Sequence, residues 1–259
     1  MKYLLPLLAL LAALCLSFSK TKTFVPPGTV QINDTLFADE TEVSNFAWYE
    51  YELWVKAMYG SNSPEHRAML PDTLCWREKP AFNEPYVLHY YRHPAYRDYP
   101  VVGISYEQAV AYCKWRTARV KLYLSVKKDF SSRDFYYRLP GKAEWETLAE
   151  TSADFLDNNG KNAKGLRRLN CMNDDTTSVK GQDEKKSDVT APVYSYWPGS
   201  LKLYNLLGNV AEMVSEKGIC KGGSWRQSLE QCRPGKDTTY TGPSAWVGFR
   251  CVCIVKKRG

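Results

Sequence analysis

Two cysteines twelve positions apart, Cys220 and Cys232, flank the stretch CKGGSWRQSLEQC, and their thiols are the groups there that could support nucleophilic, redox or soft-metal chemistry. A cysteine nucleophile needs a nearby base or positive charge to form its thiolate. Arg226 and Arg233 are close in sequence, but no histidine is. Cys232 therefore remains only a residual candidate for catalysis, and a disulfide or an inert thiol is the favoured interpretation.

The histidines lie early in the chain, at His66, His89 and His93. His89 and His93 are four residues apart, a spacing that binds zinc when it falls on a helix. Pro94 disfavours a helix at that point, and no Asp, Glu or Cys beside the pair completes a ligand set. We therefore interpret these two histidines as packed or exposed loop residues.

The composition is that of a globular protein, with 44% hydrophobic and 24% charged residues among 259. The formal net charge is +7, but lysine and arginine are spread along the chain, and the only clusters are at 161–168 and 256–258. A nucleic-acid groove would need a denser basic stripe or a binding motif, so no nucleic-acid partner is predicted. The sequence has no internal repeat or low-complexity linker, which favours one domain.

The N-terminus, MKYLLPLLALLAALCLSFS, has one lysine followed by an apolar run too short to span a membrane. It predicts a signal peptide over residues 1–19, cleaved before Lys20, and a protein exported to the periplasm or the outer membrane. Alternatively Cys15 carries a lipid, although Leu14 occupies a position where a lipobox has a small residue. Membrane association would then come through the signal segment or the lipid.

Local patterns predict three helices. The first spans about 42–56, with Ser44 or Asn45 as its N-cap. The second spans 105–116, with Ser105 as its N-cap and Gln108 completing a capping box. The third covers 143–150. Residues 60–100 and the chain after 151 are predicted to be mainly loop.

Four separated stretches then occur in a fixed order: PVVGISYEQAVAYCKW, YRLPGKAEWE, LYNLLGNVAEM, and CKGGSW with GFRC. Together they resemble the motifs of the formylglycine-generating enzyme, or sulfatase-modifying factor, family. The resemblance implies an α+β fold, a loop-rich variant of the C-type lectin fold with a small antiparallel sheet and a few helices, over residues 20–259. It places Gly222, Gly223 and Gly248 where φ is positive or backbones approach closely.

Oxidase members of this family have two cysteines five apart after the Gly-Gly-Ser motif, which bind Cu(I) and attack the substrate. The equivalent positions here are Gln227 and Cys232. A neutral amide cannot replace a thiolate as a copper ligand or nucleophile. The sequence therefore predicts neither copper nor oxidase activity.

The resemblance also implies a disulfide between Cys113 and Cys251. The family's other disulfide falls at Ala149 and Asp237, so both of its cysteines are absent. Cys220 and Cys253 are a second candidate pair, on the assumption that they lie on adjacent strands. A tryptophan-rich core is expected to include Trp115, Trp145 and Trp225. The pairing of Cys75, Cys171 and Cys232 is left open.

A calcium site is the family's other transferable feature. The matching residues are Asn205, Gly208, Val210 and Glu212, whose oxygen donors suit a hard cation. The alternative is that Asn205 and Glu212 only hydrogen-bond within a tight loop. At a second family site Asn170 matches one ligand, but the lysines within 184–187 would repel a cation.

Residues 71–102 more narrowly resemble a segment of gliding-motility and type IX secretion lipoproteins of the same superfamily. The sequence thus predicts a non-catalytic protein that works in binding or assembly with other proteins of the bacterial cell envelope. One alternative is a formylglycine-generating-type oxidoreductase or another enzyme dependent on Cys232. A second is a lectin-fold module that binds a ligand through its loops.

Overall fold

The computed structural model describes residues 24–77, 83–127, 134–152, 160–172 and 189–256. The described strands are β1 Thr29–Gln31, β2 Leu36–Asp39, β3 Phe135–Arg138, β4 Ala211–Met213, β5 Ile219–Lys221, β6 Thr238–Thr239, β7 Val247–Gly248 and β8 Val252–Val255. The described α-helices are α1 Asn45–Tyr59, α2 Pro64–Met69, α3 Glu84–His89, α4 Tyr106–Ser125 and α5 Lys142–Ser152. The predicted signal peptide and Cys15 lie outside these residues.

Two small sheets form the scaffold. The first is antiparallel, in the order β1-β2-β8-β3, and β8 pairs with both β2 and β3. The second has the order β6-β5-β4-β7, and its β4–β7 pair is parallel. The α+β, loop-rich fold is confirmed, while the structure divides the strands between two sheets, one of them mixed.

Capping residues fix the two longest helices. The side chain of Ser44 accepts a hydrogen bond from the backbone N–H of Ala47, so α1 begins directly after it. Ser105 and Gln108 form the reciprocal bonds of a capping box at the start of α4. These starts agree with the sequence prediction, but α4 continues to Ser125, well beyond the predicted end at 116.

Helices α1 and α4 pack against the first sheet around an aromatic core. The Trp48 and Tyr112 rings stack with centroids 5.4 Å apart, and Phe249 meets both rings edge-on. The fully buried tryptophans are Trp48, Trp76 and Trp145, whereas Trp115 and Trp225 are only partly buried. Trp145 lies in the core as predicted, and Trp115 and Trp225 pack against core clusters without being fully buried.

The prediction of loop over 60–100 is wrong for much of that segment. Its described part contains α2, α3 and two 3-10 turns at Thr73–Trp76 and Pro94–Tyr96. Prolines stand in the first turn of three of these elements, where the missing N–H removes no helical hydrogen bond. None of the helices in the described ranges combines the length and apolarity needed to cross a bilayer.

Candidate functional site

The Gly-Gly-Ser-Trp turn follows β5 and packs directly on Cys232. Gly222 and Gly223 have φ of +85° and +63°. A Cβ at Gly222 would lie 2.4 Å from the carbonyl oxygen of Leu206, and one at Gly223 would lie 2.5 Å from the Sγ of Cys232. Both glycines are therefore required by conformation and by space, as the sequence predicted.

Gln227 has a structural role in this turn. Its side-chain oxygen accepts from the Ser224 hydroxyl at 3.0 Å, and its side-chain nitrogen donates to Thr238 Oγ1 at 3.1 Å. Its backbone carbonyl accepts from the N–H of Met172 at 2.9 Å. The Gln227 side chain, at a position where oxidase members of the family have a cysteine, is thus hydrogen-bonded to a residue before it and a residue after it in sequence.

Cys232 is completely buried, and its thiol is hydrogen-bonded to the thiol of Cys171. That bond and burial raise the pKa of Cys232 well above its usual range, although backbone hydrogen bonds from Ser224 and Gly208 act in the opposite direction. The sulfur is consequently a protonated thiol at neutral pH. A protonated, buried thiol is a poor nucleophile.

Cys171 is the residue that sequence analysis missed at this site. It lies in the same buried cluster as Cys232, together with Trp145, Leu206 and Leu207. The Nη1 atom of Arg167 donates to the Cys171 carbonyl oxygen at 3.2 Å and lies 3.7 Å from its Sγ. Cys171 and Cys232 are far apart in sequence, so no spacing pattern could have indicated this contact.

The arginines next to Cys232 in sequence contact other groups. The Nε of Arg233 donates to Glu230 at 2.6 Å. The guanidinium of Arg226 lies over the ring of Trp246, 5.7 Å from its centroid. Neither contact directs a positive charge at the Cys232 sulfur.

The structure brings together the two sulfurs of the implied disulfide. Cys113 on α4 and Cys251 next to β8 are both buried, with Sγ atoms 3.5 Å apart as thiols. The covalent bond itself stays a prediction. For Cys220 and Cys253 the assumption of adjacent strands is wrong, because Cys220 is on β5 of the second sheet and Cys253 is on β8 of the first. The Cys220 thiol donates instead to the Thr238 carbonyl at 3.3 Å.

Glu212, the central residue of the predicted calcium site, is buried on β4 and already has its partners. The Nε of Arg250 lies 2.8 and 2.7 Å from its two carboxylate oxygens, and the indole N–H of Trp145 donates to one of them at 2.7 Å. Arg250 is also completely buried. A guanidinium therefore supplies the positive charge that a calcium ion would bring to this carboxylate.

The remaining predicted ligands are spread along the neighbouring loop. The side-chain nitrogen of Asn205 donates to the Val193 carbonyl at 3.0 Å and to Glu42 at 3.3 Å, and the N–H of Gly208 donates to the Gly222 carbonyl at 2.8 Å. Val210 is fully buried. With Glu212 occupied by Arg250, this donor set does not fit a calcium ion, and calcium enters no step of the function proposed below.

Glu42 is a buried acid in this region that the sequence did not indicate. Its carboxylate accepts from the side-chain nitrogens of Asn205 and Asn209, at 3.3 and 2.8 Å. Burial raises the pKa of Glu42 to about 8, against the opposing charge of Arg250. The acid therefore resists ionisation and contributes as a hydrogen-bonding group in the loop.

The histidines do not form a metal centre in the described parts of the chain. His89 and His93 are exposed with ring centroids 5.9 Å apart, and the described residues hold no group of three His, Cys, Asp or Glu side chains that could bind a metal. His66 is buried instead, with Nε2 3.0 Å from the Glu52 carboxylate. Its role is in packing α2 onto α1.

Two surface clefts adjoin the start of α1 and share Phe46. The larger, of about 490 Å³, and the smaller, of about 280 Å³, are both lined by that ring. Residues lining the larger cleft include Asp98, Trp115, Arg116, Arg119 and Tyr194. Residues lining the smaller cleft include Tyr49, Tyr91, Arg92 and Arg97. Aromatic and arginine side chains thus make up most of the smaller cleft's wall, whereas the larger cleft combines them with the acids Asp39, Glu42, Glu50 and Asp98.

The chain is similar in sequence to proteins named formylglycine-generating enzyme. A formylglycine-generating enzyme of Thermomonospora curvata is 30% identical over 122 residues, covering 46% of this chain and 34% of that protein. One of Mus musculus is 30% identical over 205 residues, covering 68% and 48%. The chain thus spans less than half the length of these relatives.

The solved structure titled "Crystal Structure of CarF" superposes with a TM-score of 0.51 at 17% identity, covering 85% of this chain and 87% of that one, which shows the fold alone. Residues 13–255 match the FGE-sulfatase family, described as the sulfatase-modifying factor enzyme 1-like domain. That match extends over nearly the whole sequence and includes the Gly-Gly-Ser-Trp turn, β4 and β8. The chain belongs to the FGE-sulfatase family.

Proposed function

We propose that this chain is an exported, non-catalytic member of the FGE-sulfatase family that acts by binding or assembly in the bacterial cell envelope. The observation that carries the proposal is the state of the two positions after the Gly-Gly-Ser motif. Gln227 is held by Ser224 and Thr238, and Cys232 is buried as a protonated thiol. Neither side chain offers a thiolate to a substrate.

The surface chemistry beside α1 supports a protein as the bound partner. Tyr, Trp, Phe and Arg are the residue types enriched at the energetic centres of protein interfaces. Phe46 and Tyr194 are 42% and 60% exposed, although both are large hydrophobic side chains. The guanidinium of Arg97 lies 4.3 Å from the Phe46 ring centroid, so the ring and the cation form one platform.

The narrower resemblance of residues 71–102 supports placing the protein in a motility or type IX secretion complex. The described part of that segment packs tightly onto the clefts' supporting helix. The side-chain nitrogen of Asn45 donates to the carbonyls of Tyr90 and Tyr96, both at 3.0 Å. The segment that carries the resemblance therefore shapes the proposed binding surface.

A peptide-oxidation assay tests the absence of catalysis. The purified chain is incubated with a C-x-P-x-R peptide, copper and oxygen, and the peptide mass is followed for conversion of the thiol to the aldehyde. We expect no conversion, while a formylglycine-generating enzyme under the same conditions serves as the positive control. Turnover by this chain would overturn the non-catalytic assignment.

Co-purification from envelope membranes tests the binding role. The wild-type chain is expected to elute in a large complex, and the double variant Phe46→Ala/Arg97→Ala to elute as the isolated chain. Leu166→Ala is the matched control, since Leu166 is 53% exposed and lines neither cleft. Equal recovery of the complex with all three proteins would rule out the α1 clefts as the binding surface.

A second candidate function is an enzyme that uses Cys232, including a formylglycine-generating type of oxidoreductase. The specific observation in its favour is the contact with Cys171, which supplies a second sulfur that Gln227 does not. The oxidation assay separates the two candidates if it includes Cys171→Ser. Conversion by the wild type that is lost in Cys171→Ser would support the enzyme.

A further inference from the structure

We propose that Cys171 and Cys232 form a structural disulfide that ties the 169–172 segment to the Gly-Gly-Ser-Trp turn. The bond is a modification site that the sequence motifs do not indicate. It is independent of the proposed partner and of the Cys113–Cys251 pair.

The first support is the direct contact of the two thiols in a water-excluded cluster. The Cys171 thiol is hydrogen-bonded to the Cys232 thiol. Cys232 is 0% exposed and Cys171 is 8% exposed, and both pack with Leu169 and Leu206. Two thiols held in contact are already near the geometry that a disulfide requires.

The second support is that backbone hydrogen bonds fix both sides of the contact. The N–H of Met172, next to Cys171, donates to the Gln227 carbonyl at 2.9 Å. The carbonyl of Asn170, on the other side, accepts from the N–H of Asn209 at 2.7 Å. The Cys232 N–H is held by the Ser228 and Leu229 carbonyls at 3.2 and 3.1 Å. The bridge therefore joins two segments whose positions are already fixed by backbone hydrogen bonds.

The covalent step balances as a thiol–disulfide exchange. A thiolate of one cysteine attacks an oxidised dithiol carrier, which forms a mixed disulfide and releases one carrier sulfur. The second cysteine then displaces the carrier and closes the Cys171–Cys232 bond. The two cysteines lose two electrons and two protons, and the carrier disulfide is reduced to its dithiol.

The packing of the turn sets when this bond can form. Gly223 lies so close to the Cys232 sulfur that an added Cβ would come within 2.5 Å of it. A carrier therefore has no room to reach Cys232 in the folded chain. The exchange must precede closure of the turn, and the finished bond is then protected from reduction.

Tryptic mapping of the full chain tests the proposal, because cleavage places the two cysteines on separate peptides. Cys171 lies in LNCMNDDTTSVK, residues 169–180, and Cys232 in QSLEQCRPGK, residues 227–236, because trypsin does not cleave before Pro234. The chain is refolded with reduced and oxidised glutathione, denatured, alkylated without reductant and digested. We expect the two peptides as one linked species that reduction separates. Recovery of both as alkylated single peptides, or linked to other cysteines, would overturn the proposal.

Counting thiols in variants gives a second readout that does not require native stability. After the same refolding, Cys171→Ser is expected to expose one additional alkylatable thiol, on the 227–236 peptide. Cys75→Ser is the control and should leave the 227–236 peptide unalkylated, as in wild type. An unchanged alkylation of the 227–236 peptide in Cys171→Ser would contradict the pairing.

Discussion

Replacing Arg250 by Met should destabilise the protein by about 4 kcal/mol, because it leaves the Glu212 carboxylate buried without its cation. Both side chains are 0% exposed, so water cannot solvate the remaining charge. The guanidinium also donates to the Asp39 and Tyr204 carbonyls, at 3.1 and 2.8 Å, and both would lose their partner. The substitution therefore removes the link between β2, β4 and the 203–208 loop.

The magnitude follows from the general cost of breaking a buried ion pair. Removing one partner typically costs about 3–5 kcal/mol, and a domain has a total unfolding free energy of roughly 5–15 kcal/mol. The two carbonyls that lose a donor add to the loss. A value near the middle of the range is expected.

Urea denaturation followed by tryptophan fluorescence measures the change. Arg67→Met is the matched control, because Arg67 is exposed and its loss should alter the unfolding free energy by less than about 0.5 kcal/mol. Glu212→Leu combined with Arg250→Met removes both charges and should be more stable than Arg250→Met alone. The reasoning fails if Arg250→Met costs under about 1 kcal/mol, or if the double variant equals the sum of the single ones.

Three further measurements test other features. For wild type, and likewise for Glu212→Gln, the melting temperature should be the same in calcium as in chelator, because Arg250 already neutralises the Glu212 carboxylate. A calcium-dependent rise in melting temperature confined to wild type would restore the calcium prediction. Although burial opposes it, hydrogen bonds led by Arg92 lower the pKa of Glu52 from 4.5 to about 2, so its stabilisation is present above pH 4.5. About 3 kcal/mol should be lost as the pH falls to 2, and a Glu52→Gln variant with the same acid profile would contradict this. Cys251→Ser should lower the oxidised protein's melting temperature by roughly 10 °C, since a bridge spanning 138 residues contributes about 4–5 kcal/mol. An equal effect under reducing conditions would show that no bridge forms.

The sequence predicted those parts of the fold that depend on near neighbours. Ser44 and Ser105 cap their helices through residues three positions later, so neighbouring residues alone determine where α1 and α4 begin. Proline misled the prediction over 60–100, because Pro64 and Pro85 begin short helices there and do not break them. From sequence alone, a proline that begins a helix cannot be distinguished from one that breaks a helix. The two differ in whether the proline lies in the first turn.

The strands and the site needed the three-dimensional structure. Strands of two to four residues are too short for an alternating pattern, and β8 pairs with residues more than two hundred positions earlier. The resemblance correctly pointed to Gln227, Cys232 and Glu212 as residues of interest. It did not reveal that Cys171 meets Cys232 or that Arg250 meets Glu212, because both contacts join distant segments.

The central position of β8 in the first sheet determines when that sheet can be completed during synthesis. Strands β2 and β3 pair on either side of β8, so neither is paired on that side until residues 252–255 have left the ribosome. A nascent chain therefore carries two open strand edges until β8 has been synthesised. Truncation before residue 252 should leave both edges open at once, so such truncated products are expected to aggregate during translation.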